Sequence, residues 1–171
     1  MKAFRICFLL FIVFSLFSTA FAIHETNPAE TQLVMPAADA AQVYAYITKA
    51  KPYTQWDLWP GKESMYPGTQ PHGDFLTTYI NETGRFDLKK GKGSLSEGTI
   101  IVKENYGSDK KITALSVMYK IAGFNASAGD WFWAKYDRDG KVLAGGKAEV
   151  CIRCHEKKRD NDYIFTGEVK K

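Results

Sequence analysis

Residues 99–137 read TIIVKENYGSDKKITALSVMYKIAGFNASAGDWFWAKYD. Within them Thr99–Asn105, Ile112–Ile121 and Asp130–Asp137 are dense in β-branched and aromatic side chains, the types that fit a pleated, half-buried surface. Gly107-Ser108-Asp109 between the first two is turn chemistry. Upstream, Phe75–Ile80 has the same character, and downstream Asp139-Gly140 is a hairpin signal leading into Lys141–Ala144. The pattern predicts a meander of four or five antiparallel strands. Alternation along the second strand places Lys103 with Thr99 and Ile101, and Ile100, Val102 and Glu104 on the opposite side. Each face therefore receives one charge near that strand's end.

Outward from the strands the chain changes. Ala37–Ala50 is rich in alanine, with Ala41, Tyr44, Ala45 and Thr48 at helical spacing between Pro36 and Pro52, which predicts a helix. Pro52–Gly73 carries four prolines and three glycines among Tyr53, Trp56, Trp59 and Tyr66. It reads as a long irregular loop, of the kind usually functional or packed over something. A short helix is expected over Ala148–Asp160. A helix before a sheet and a helix after it belong to the α+β class, mainly antiparallel β-sheet with flanking helices.

The chain is 171 residues long with a formal net charge of +4, too small and too evenly spread for a nucleic-acid binder. The first 22 residues differ from the rest. Lys2 and Arg5 precede an apolar run from Ile6 to Phe17, and then come Ser18, Thr19, Ala20, Phe21 and Ala22. Positive, apolar and small residues in that order make a secretory signal peptide, and the run is shorter than the roughly 20 residues of a membrane span. The expected organisation is a signal peptide over 1–22, a polar N-terminal arm over 23–36 and one domain over 37–171. The exported product would be soluble and periplasmic or otherwise outside the cytoplasm. Cleavage removes Cys7 and two basic residues, leaving 21 basic against 19 acidic residues and only Cys151 and Cys154 as cysteines.

Those two cysteines stand in Cys151-Ile152-Arg153-Cys154-His155, the C-x-x-C-H attachment signature of a c-type haem. Two thiols three positions apart share one side of a helical turn and can form thioethers to the two vinyl groups. His155 then supplies the proximal imidazole and is the expected metal ligand. Three other readings compete. Zinc needs about four ligands, and only His24 and His72 remain outside the motif. A thioredoxin-like motif belongs near a βαβ pattern, not behind the strands. A Cys151–Cys154 disulfide would close a very small ring of little entropic value.

Around this motif lie Tyr66-Pro67, Pro71-His72-Gly73, Tyr79-Ile80-Asn81, residues 98–105, Met118-Tyr119-Lys120, Asp130–Trp133 and Asp162–Phe165. In that order, from Trp56 to Thr166, they resemble the cytochrome P-460 family, which includes the cytochrome c′-beta proteins. The resemblance implies one covalent haem c, with its iron, in a mainly antiparallel β domain, often a homodimer. In the P-460 branch a strand lysine, here at the position of Lys103, is cross-linked to the porphyrin and the enzyme oxidises hydroxylamine. In the c′-beta branch that link is absent and the haem binds nitric oxide in an apolar distal pocket. A Lys103 that reaches solvent or pairs with a carboxylate is the plain alternative.

Hydroxylamine oxidation needs an open or displaceable sixth position and a proton acceptor. The candidates are His72, Glu104 and Glu149. His72 can equally be a sixth ligand or a turn residue, and Met118 a ligand or core. A small nitrogen-oxide substrate or ligand and an electron-transfer partner complete the expectation, with a simple electron carrier as a further alternative.

Overall fold

The computed structural model describes residues 34–169. The signal peptide expected over 1–22 and most of the arm expected over 23–36 lie outside the described residues. Seven antiparallel strands form one sheet: β1 (Asp57–Leu58), β2 (Tyr66–Pro67), β3 (Phe75–Ile80), β4 (Ile100–Tyr106), β5 (Ile112–Lys120), β6 (Trp131–Asp137) and β7 (Val142–Gly146). The order is β1-β3-β4-β5-β6-β7, with β2 also paired to β3. The meander read from the sequence is the framework, and the α+β class holds. Among the described residues no helix is long and apolar enough to cross a membrane.

The 37–50 segment is helical but not uniform. α1 (Ala40–Ala45) is capped by Asp39, whose side chain accepts from the Gln42 N–H at 2.9 Å. It then widens into one looser helical stretch, Tyr46–Ala50. Pro36 is tied down, its carbonyl accepting from the Tyr119 hydroxyl at 3.2 Å. The loop expected over Pro52–Gly73 contains β1 and β2, both laid along β3, so its ends are anchored to the sheet.

One helix has no counterpart in the sequence reading: α2 (Glu82–Lys90), between β3 and β4. Asn81 starts it, accepting from Gly84 N–H at 3.3 Å, and joins it to the sheet by also accepting from Ile100 N–H at 3.0 Å. Gly91, at φ 63°, ends it in the left-handed region. Gly84 sits against the sheet so closely that a Cβ there would come within 2.6 Å of Thr99 Cγ2 and 2.7 Å of Ile80 Cδ1. The C-terminal helical segment is α3 (Glu149–His155), followed by tighter turns over Glu156–Asn161.

Strand alternation divides the core in two. Ile100, Val102, Val117, Phe132, Ala134 and Tyr136 pack with Val43 and Ile47 of the N-terminal helix. Ile101, Met118 and Trp133 face the other way, with Trp59, Leu88, Ile164 and partly buried Cys151 and Ile152. Ile101, Met118 and Trp133 are register partners across three strands, and so are Lys103, Ser116 and Lys135. These two cross-strand rows form the wall on which α3 and the last residues are mounted.

Candidate functional site

α3 presents Cys151 and Cys154 three residues apart, hence on one helix face, and both are free thiols. Burial pushes the Cys151 thiol up from its ordinary value, against the opposing charge of Lys135. His155 closes the helix and is buried. Its Nδ1 lies 2.7 Å from the carbonyl oxygen of Tyr163. A carbonyl can only accept, so Nδ1 carries the hydrogen and Nε2 is left as the lone-pair nitrogen. Such an N–H to carbonyl bond is the usual support behind a metal-ligating histidine.

That carbonyl is itself fixed. Asp162 and Tyr163 both have positive φ, 54° and 66°, conformations that persist only when the surroundings enforce them. The enforcing contacts are visible. Asp162 accepts from Leu95 N–H at 2.8 Å and from Lys120 Nζ at 2.5 Å, while Trp131 Nε1 donates to the Asp162 carbonyl at 3.0 Å.

His72 approaches from the long loop before β3. Asn105, buried at 2% exposure, organises it. Asn105 Nδ2 donates to the Ala114 carbonyl and to Ser116 Oγ, each at 3.0 Å. That orients its amide, so Oδ1 faces His72 Nδ1 at 3.1 Å as an acceptor. His72 is thereby held with hydrogen on Nδ1, as His155 is. The two imidazole centroids are 6.1 Å apart with perpendicular planes. Burial is the main cause that lowers both imidazoles to about 4, and the charge of Lys103 adds to it in each case. For His155 the bond to Tyr163 acts in the opposite sense.

Both rings line a cavity with about 850 Å³ of empty volume, its open mouth included, and so do Lys103, Cys151 and Cys154. Ile101, Met118, Trp133, Ile164 and Phe165 make its apolar walls. Burial first, and the charge of Lys62 second, lower Lys103 to about 8. A second lobe of about 670 Å³ shares His72, Lys103, Cys154 and His155, and adds Lys62, Tyr66, Thr69 and Gln70.

Five sequence-selected residues, His72, Lys103, Cys151, Cys154 and His155, are thus brought to one cavity. Glu104 is not, and its expected place there is corrected. It follows Lys103 directly, so the pleat turns it to the opposite face, where it is 5% exposed and accepts from Tyr53 Oη at 2.9 Å and Tyr106 Oη at 2.6 Å. Glu149 is exposed at the start of α3, and Met118 is a wall residue. Asn105, Ser116 and the Tyr163 carbonyl were not selected from the sequence. Alternation could have supplied Asn105, two residues beyond Lys103; nothing local could have supplied the carbonyl.

The residues present fit a haem. The walls are apolar, two free thiols sit on one helix face, and a carbonyl-supported histidine keeps Nε2 unprotonated. Val150 and Phe165, apolar lining residues of the cavity, are 67% and 47% exposed, surface that a planar apolar group would cover. Among the described residues no three His, Cys, Asp or Glu side chains gather as a metal site of their own. The family model described as Cytochrome P460 matches residues 50–166, from the end of the N-terminal helix through the cavity's last wall residue. No curated protein matches the chain.

Proposed function

This chain belongs to the cytochrome P460 family and is a c-type cytochrome of it, and on that premise we propose that it oxidises hydroxylamine at one covalently held haem c. Cys151 and Cys154 would carry the thioethers, and His155 Nε2 would be the proximal ligand. The haem supplies the one-electron redox chemistry when bound. His72 Nε2, freed by the Asn105 contact to Nδ1, is placed to accept a proton from the substrate's N–H or O–H. Glu104, on the far face, takes no part. The apolar walls limit water at the reacting centre, and the exported product passes electrons to a partner outside the cytoplasm.

The observation that carries the catalytic reading is Lys103. Its side chain lines the cavity, has no carboxylate or hydrogen-bond partner among the described residues, and is lowered to about 8. At neutral pH about a tenth of it is therefore free amine, the nucleophilic form that such a link requires. Mass spectrometry of the digested holoprotein should find the haem peptide of Cys151–His155 joined to a second peptide through Lys103. A haem peptide free of that lysine, together with no hydroxylamine-dependent reduction of an artificial acceptor, would overturn the reading.

One observation favours the c′-beta alternative. Among the described residues neither lobe is lined by Asp or Glu, and an apolar pocket without a carboxylate suits nitric oxide better than a proton-releasing oxidation. Nitric oxide titration of a protein without the lysine link would support that branch. A low-spin ferric spectrum with two imidazole ligands would exclude both open-site readings and leave an electron carrier.

A further inference from the structure

The two lobes differ at their far ends. Cys151, Val150 and Lys135 line only the apolar lobe; Lys62, Tyr66, Thr69 and Gln70 line only the polar one. A protohaem macrocycle carries its two vinyl groups on neighbouring pyrroles and its two carboxylate chains on the other two. Thioethers to Cys151 and Cys154 fix the vinyl edge against α3 and turn the carboxylate edge away from it. Cys154 borders both lobes and Cys151 only the apolar one, so the polar lobe extends from the site on the side away from Cys151.

Carboxylates entering a partly buried site need a cation or strong donors. Lys62 is available. Its Nζ lies 5.1 Å from the centroid of the Tyr66 ring, and it has no salt-bridge partner among the described residues. Its backbone is also held. Lys62 N–H donates to the Trp59 carbonyl at 2.9 Å, and Trp59 N–H donates to the Thr78 carbonyl at 2.8 Å. On the other side Met65 N–H donates to Thr77 Oγ1 at 3.0 Å. With β1 and β2 both paired to β3, the turn that carries Lys62 is fastened at each end, so the cation is positioned before anything binds.

We infer that the polar lobe is the carboxylate-binding end of the site, with Lys62 as the cation that holds the haem propionates and sets which way the macrocycle faces. This rests on the covalent haem reading above. Lys62 contacts the cofactor's carboxylates and not the reacting atoms, so it is a positioning residue.

Resonance Raman spectroscopy of the purified holoprotein tests it through the propionate bending mode, which responds to hydrogen bonds at those carboxylates. Lys62→Gln should shift the mode, and Lys62→Arg should return it toward its original position. Lys135→Gln, which removes a cation at the thiol end, should leave it unmoved. A mode that ignores Lys62→Gln, or that follows Lys135 instead, overturns the assignment. Failure of the underlying reading looks different: the intact mass would then show no covalently added haem, whichever variant is measured.

Discussion

β4 carries two neighbouring charges, Glu104 buried and Lys103 half-buried, and the two faces of the sheet treat them oppositely. On the N-terminal-helix side Glu104 is enclosed among phenols: Tyr53 and Tyr106 each donate to one of its oxygens, and Thr77 extends the group by donating to Tyr106 at 3.4 Å. Burial and the nearby Glu104 raise both phenols, Tyr106 to about 12, so they stay protonated donors. On the cavity side Lys103 faces apolar walls and two imidazoles with no such compensation. A satisfied buried charge is a structural device, whereas an unsatisfied one beside a cavity marks a place where something else binds. The two residues are adjacent in sequence, and only the pleat separates their roles.

Substitutions should separate the faces in order of effect. Glu104→Ala strands two buried phenols and should cost about 4 kcal/mol of unfolding free energy, measured by denaturant titration. A loss under about 1 kcal/mol would mean the cluster is not structural. Asn105→Leu removes the amide that serves Ala114, Ser116 and His72 and should cost about 3 kcal/mol. It should also abolish the single Nδ1–H tautomer of His72, read by nitrogen-15 shifts of the ring.

Acid should come next. The His72 imidazole sits at about 4 against about 6.5 in an unfolded chain. Between those values the unfolded chain binds protons that the folded one refuses, so stability falls as pH drops from about 6.5 and levels out below about 4. His72 should account for about 2 kcal/mol of this, and His72→Gln should flatten that part of the stability–pH curve. The smallest change is expected from Lys103→Met, which replaces an unpaired half-buried cation with an apolar chain. Stability should move by about 1 kcal/mol or less, in either direction, while any haem link through residue 103 disappears. A large destabilisation there would mean that Lys103, like Glu104, is held by the fold.

The sheet was readable because its strands are made of side chains that pack well on a pleat, and the turns between them carry glycine and aspartate. α2 was missed because its nine residues, ETGRFDLKK, include a glycine and few apolar positions; it is fixed by Asn81 and by the close seat of Gly84. The alternating pattern already set Lys103 and Glu104 on opposite faces, which is incompatible with both lining one pocket. C-x-x-C-H located three site residues because their spacing along one helix is itself the requirement. His72 was recognisable as a residue type and alternation puts Asn105 on the face of Lys103, but their pairing joins β4 to the loop before β3, and the support behind His155 is a backbone atom. Contacts across the fold of that kind leave no local pattern.

The strand order also has a bearing on how the site is assembled. From β3 to β7 each strand pairs with the one before it, so the sheet is built from neighbours in the chain. α3 and the closing segment Ile164–Thr166 come after all of them. The sheet's pairings therefore do not depend on the segment that carries the thiols, which follows all seven strands in the chain. On the reading proposed above, attachment at Cys151 and Cys154 would then require no strand pairing to reopen.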